Sequence, residues 1–120
     1  MEAKYSLRRH RVKRVEIDGK AYDARLGNLT FALDAKELAA KMASIGEDGL
    51  DDGEIIARAE DASNSARAMA AAMFGDAAAE ELLGGAHRLD VLRIADIVSI
   101  MADIASSDES VAAAKEAFGA

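Results

Sequence analysis

The chain has no cysteine, no proline and no tryptophan, and its aromatic residues are three phenylalanines and two tyrosines. The absence of cysteine excludes disulfides, thiol nucleophiles and thiolate metal sites, and it fits a reducing compartment. Long apolar runs are also missing. No stretch approaches the ~18 residues that a membrane span needs, and the opening Met1-Glu2-Ala3-Lys4-Tyr5-Ser6 lacks the apolar segment of a secretory signal. The expected location is therefore the cytoplasm, without membrane contact. Bulky apolar side chains are scarcer than the 51% hydrophobic content implies, because 28 of the 120 residues are alanine. What is left suffices for one compact core, so residues 1–120 read as a single domain.

Charge is abundant and unevenly placed. The net charge is −7, yet residues 1–25 hold eight Lys/Arg against four Asp/Glu, a +4 head that leaves −11 on the rest. The acidic body argues against a nucleic-acid binder as a whole and favours a soluble surface.

Turn and cap signals divide the chain. Arg11 to Ile17 and Lys20 to Leu26 flank Asp18-Gly19, a dipeptide that tolerates positive φ at both turn positions, and this predicts a hairpin. Val15 and Ile17 fall on one face, Arg14 and Glu16 on the other. Gly27-Asn28 offers a second turn, and Leu29-Thr30-Phe31-Ala32-Leu33 alternates large and small side chains, so a third strand can complete a meander; the competing reading begins a helix at Thr30. The strand is preferred because Asp34-Ala35-Lys36-Glu37 has the form of a capping box. The expected fold is α+β and helix-dominant: a hairpin or three-stranded meander over residues 11–33, then three to five helices over 34–118. The first helix runs from Ala35 to Ile45 with a stripe of Leu38, the Lys41 stem, Met42 and Ile45. A second, capped at Asp52 or its neighbour, reaches Phe74 and carries Ile55, Ile56, Ala59, Ala62, Ala66, Met69, Ala70 and Met73 at helical spacing. A third spans Ala77 to Leu83 between Gly75 and Gly84-Gly85. The fourth, starting near Asp90, has the widest apolar stripe and is expected at the centre. Ser106 to Glu109 has the form of a capping box for a last, weakly anchored helix, Val111 to Phe118.

Catalytic and metal motifs fail one by one. Counted as a calcium loop from Asp48, Leu50 occupies the third position and Ala59 the twelfth, where oxygen ligands are needed. His10 and His87 lack any partner at zinc-pair spacing. No phosphate-binding glycine loop and no Gly-x-Ser-x-Gly elbow occurs, and Glu80 and Glu81 point to different helix sectors. The expectation is a protein that is not an enzyme and uses no metal or cofactor. The basic run Leu7 to Arg14 has no aromatic side chain for base stacking, so an edge-guarding or protein-binding role is favoured and nucleic acid is the minority reading. Met42, Met69, Met73 and Met101 lie on predicted apolar faces, where core filling competes with an adaptable contact surface. The alanine-rich second helix buries little area per residue and is suited to completing its core in a homo-oligomer or a complex.

The order of these signals resembles a known family. A hairpin reading Val15-Glu16-Ile17-Asp18-Gly19-Lys20-Ala21-Tyr22 is followed by a helical body containing Met73-Phe74-Gly75-Asp76-Ala77-Ala78-Ala79-Glu80-Glu81-Leu82-Leu83-Gly84-Gly85, and then by Leu89-Asp90-Val91-Leu92. Over residues 15 to about 105 this is similar to the small tail assembly chaperones of long-tailed bacteriophages and prophages. The resemblance implies a non-enzymatic protein of the bacterial cytoplasm that binds tape measure protein, tail tube protein or both before tail polymerisation. Met69, Met73, Phe74, Leu82 and Leu83, around an alanine-rich stretch, are the candidate partner-binding residues, with a wholly internal role as their alternative. The rival readings are a small nucleic-acid-binding regulator that uses the basic head, and a structural head-tail connector component.

Overall fold

A computed structural model of the chain describes residues 2–119. A two-stranded antiparallel hairpin, β1 (Val12–Ile17) and β2 (Lys20–Arg25), precedes five helices: α1 (Thr30–Ile45), α2 (Asp52–Phe74), α3 (Asp76–Leu83), α4 (Val91–Ala105) and α5 (Asp108–Gly119). A short 3₁₀ turn, Gly85–His87, joins α3 to the loop before α4. The architecture is α+β with helix dominant.

The hairpin register is set by its turn. Asp18 and Gly19 both have positive φ, 50° and 79°, the mirror-image turn whose twist matches that of paired strands. Val15 therefore stands opposite Tyr22, and Ile17 opposite Lys20. Ile17, Tyr22 and Ala24 are buried against the helices while Arg14 and Glu16 face out, so alternation along each strand delivers one apolar face to the core.

The proposed third strand is a helix instead. In a strand Leu29, Phe31 and Leu33 would share one face; here Phe31 is buried and Leu29 and Leu33 are exposed. The pattern that prevails is Phe31, Ala35 and Leu38, which a helix places on one stripe. Asn28 begins it: its side-chain oxygen accepts from the Thr30 amide at 3.1 Å and its carbonyl from the Phe31 amide at 3.2 Å. Asp34 is consequently inside α1 and caps nothing, and the sheet ends at Arg25.

The other helix ends follow their local chemistry. Asp51 caps α2 by accepting from the Glu54 amide at 2.8 Å, and Asp90 caps α4 through the Arg93 amide at 3.1 Å. At α5 the Ser107 hydroxyl accepts from the Ser110 amide at 3.2 Å, which starts that helix at Asp108, three residues before the expected Val111. Helix α4 occupies the centre, packing on α1, α2, α3 and α5, and buries Ile94, Ile97, Val98, Met101, Ile104 and Ala105. Helix α2 presents Ala59, Ala62, Ser63, Ala66, Met69, Ala70 and Met73 to the interior, and its alanines permit close approach of α1 and α3. Ile56, assigned to that stripe by spacing, is exposed.

Candidate functional site

Four of the five candidate partner-binding residues are inside the molecule. Met73 and Leu83 are fully buried, Leu82 is 1% exposed and Met69 4%. They fill the space where α2 and α3 meet α4, because the Gly75 turn folds α3 back along α2 and brings their apolar sides together. Phe74 alone is half-buried; its ring lies 6.1 Å from that of Tyr22, tilted by 57°, and links the end of α2 to the hairpin. The segment Met69 to Leu83 thus supplies core, and Met69 and Ala72 also line a groove.

That groove runs between α1 and α2 and has a volume of about 270 Å³. Leu38 and Met69 form its apolar floor, Ala68 and Ala72 keep one wall low, and Asp34, Glu37 and Lys41 stand on the other. Lys41 crosses to α2, donating to Ser65 Oγ at 2.9 Å and pairing with Asp61 at 3.3 Å, so the groove closes at that end. At the other end Leu33 is 64% exposed, one helical turn before Glu37, with Leu29 one turn further back. Neither leucine lines the groove; Leu29 stands just before α1 and Leu33 in its first turn, and both are exposed.

A second groove, about 460 Å³, lies between the hairpin turn and the first half of α4. Ile17, Leu92, Ile97 and Ile100 give it an apolar lining, and Asp18, Asp90 and Asp96 surround that lining with carboxylates. Leu92 is 76% exposed. Arg93, the one basic residue of the lining, donates from Nε to the Leu82 carbonyl at 2.5 Å and so serves as a strut to the end of α3.

The basic head is largely engaged with its own chain. Arg11 pairs with Glu116, Lys13 with Glu109 at 2.7 Å and Arg14 with Asp23 at 3.3 Å, while Arg8 donates to the Ala117 carbonyl at 3.2 Å. Three of these four contacts reach α5, and the Gly27 amide adds a 3.0 Å bond to the Ser110 hydroxyl. The helix expected to be weakly anchored is thus tied to the hairpin by charge and by a buried serine. Each pair is exposed and contributes ~1 kcal/mol at most.

On the turn side Lys20 donates to Glu81 of α3, and this bond holds the Lys20 ammonium above its ordinary pKa of 10.5. Among the described residues, no group of three or more His, Asp or Glu side chains is arranged to hold a metal ion, and no helix is long and apolar enough to cross a membrane. The chain matches no protein-family model, no curated protein and no solved structure, so the functional argument rests on its sequence pattern and its surface.

Proposed function

We propose that this chain is a non-enzymatic tail assembly chaperone of a phage or prophage, acting in the bacterial cytoplasm to hold tape measure protein, tail tube protein or both before the tail polymerises. The observation that carries the proposal is the groove between α1 and α2, floored by Leu38 and Met69, together with the exposed Leu29 and Leu33 at the start of α1. An amphipathic helix laid along this path would bury its apolar face chiefly on the exposed Leu29 and Leu33, and Asp34 and Glu37 would keep the complex hydrated. The element order supports the same reading: hairpin, long helix ending at Phe74-Gly75, short helix, Gly84-Gly85, and Leu89-Asp90 opening the next helix. Binding without a nucleotide cycle requires only that the partner's assembly compete for the same apolar face.

The engagement of Arg8, Arg11, Lys13 and Arg14 within the chain weighs against the basic head as a phosphate-binding surface. Purification of the tagged chain from cells that also express its neighbouring genes tests the proposal. Recovery of a tape measure or tube protein, lost when Leu33 is replaced by Asp, supports it. Recovery of nucleic acid instead, or retention of the chain in finished particles, would replace it by the regulator or the connector.

A further inference from the structure

The groove between the hairpin turn and α4 is separate from the α1–α2 path, and its occupant can be argued from the chain itself. Its apolar lining of Ile17, Leu92, Ile97 and Ile100 is ringed by Asp18, Asp90 and Asp96, with Arg93 committed to the Leu82 carbonyl. A complementary ligand is short, apolar on one side and cationic. Residues 2–11 have that character and form neither helix nor strand. Tyr5 and Leu7, 91% and 96% exposed, are two residues apart and share a face in extended backbone. Lys4, Arg8 and Arg9 accompany them against a single carboxylate, Glu2. The radius of gyration, 16.4 Å, exceeds the ~14 Å expected of a compact domain of this length, as an arm leaving the body requires.

With Arg8 and Arg11 in the contacts the structure shows, the arm does not reach the groove of its own copy. Arg8 and Arg11 hold its base against α5 at Ala117 and Glu116, beside the open end of the hairpin. The groove lies at the turn end, the length of a six-residue strand away, or about 17–20 Å. Tyr5 is only three residues beyond Arg8, a reach of about 10 Å at full extension. We infer that the arm carrying Tyr5 and Leu7 docks in the hairpin–α4 groove of a second copy of this chain, with Lys4 and Arg9 facing Asp18, Asp90 and Asp96. This self-association does not depend on the tail-assembly reading, and either can fail without the other.

The test begins with sedimentation of the full-length protein over a concentration series. The inference predicts a mass that rises above 12.6 kDa, an association that weakens as salt is added, and a loss of at least about tenfold in affinity for Tyr5→Ser/Leu7→Ser and for Leu92→Asp. The two arm substitutions alter only exposed side chains outside the core, so they separate docking from folding. The absence of native cysteine permits a second readout. Leu7→Cys on one copy mixed with Leu92→Cys on another should be joined by a short bis-maleimide, whereas Leu7→Cys mixed with Ser106→Cys, at the far end of α4, should not. A monomer at every concentration, an association indifferent to the arm substitutions, or equal cross-linking to both positions would overturn the inference. An intrachain product alone from the Leu7→Cys/Leu92→Cys chain would do the same, and so would a monomer whose groove is occupied only by an added cationic amphipathic helix.

Discussion

Two serines of nearly equal burial should respond in opposite directions to the same substitution. Ser63, on the interior side of α2, is 1% exposed and its hydroxyl has no hydrogen-bond partner in the protein. Ser110, in α5, is 2% exposed and its hydroxyl accepts the Gly27 amide at 3.0 Å. An unpaired buried hydroxyl costs about 1–3 kcal/mol, and alanine is the better helix former by about 0.5 kcal/mol. Against this, Ser63→Ala loses the packing of one oxygen atom, a few tenths of a kcal/mol at ~24 cal/mol per Å³ of void. The net expectation is stabilisation of about 1–3 kcal/mol, at roughly 4 °C in Tm per kcal/mol for a domain of this size. Ser110→Ala gains the same helix propensity but strands the Gly27 amide, so it should destabilise by about 1 kcal/mol. Urea denaturation followed by far-ultraviolet circular dichroism gives both values, with unchanged m as the check that the unfolding transition is the same. Loss of stability in Ser63→Ala, or equal effects at the two sites, would refute the assignment of one serine as unpaired and the other as a strut.

Three further outcomes follow from single contacts. Gly19→Val should destabilise by about 1–2 kcal/mol in the same assay although a Cβ there meets nothing within 4 Å, because the cost lies in φ +79°; an unchanged midpoint would displace the turn. Gly84→Ala should cost about 1–3 kcal/mol for a different reason, since its Cβ would stand 2.6 Å from the Glu80 carbonyl oxygen and α3 would have to open at its last turn; wild-type stability would show that the approach is looser. The Lys20 ammonium should titrate above 10.5 by nuclear magnetic resonance, and fall back toward 10.5 in Glu81→Gln. Because its folded pKa is raised, the stability it contributes is complete below pH 10.5 and is lost as pH rises through the raised value; a Lys20 titration indifferent to Glu81 would remove the contact.

Most of the fold was legible because its signals are local. Asp18-Gly19 dictates the turn, Asp90 and Gly75 bound their helices, and the wide stripe of α4 marks the central element. The segment Leu29 to Leu33 obeys two periods at once, and its helical start is accompanied by a short-range bond from the Thr30 amide to Asn28 Oδ1, a weaker signal in sequence than Asp34-Ala35-Lys36-Glu37. Of the candidate surface, the sequence carried only Met69, because helical spacing tells which side chains share a face but not whether another helix covers it. Leu82 and Leu83 became core once Gly75 reversed the chain. The attachment of α5 was illegible for another reason: Lys13 with Glu109 and Arg11 with Glu116 are separated by about a hundred residues, and long-range charge pairing leaves no periodic trace.

The most direct test of the proposed role is the solubility of a tape measure protein from the same genome, expressed alone, with this chain, and with the Leu33→Asp chain, since Leu33 is exposed and its replacement leaves the core intact. The account predicts that the tape measure protein is largely insoluble alone, is recovered as a soluble complex with the native chain, and returns to the insoluble fraction with Leu33→Asp. A tape measure protein equally soluble in all three cases, with no complex recovered, would contradict it.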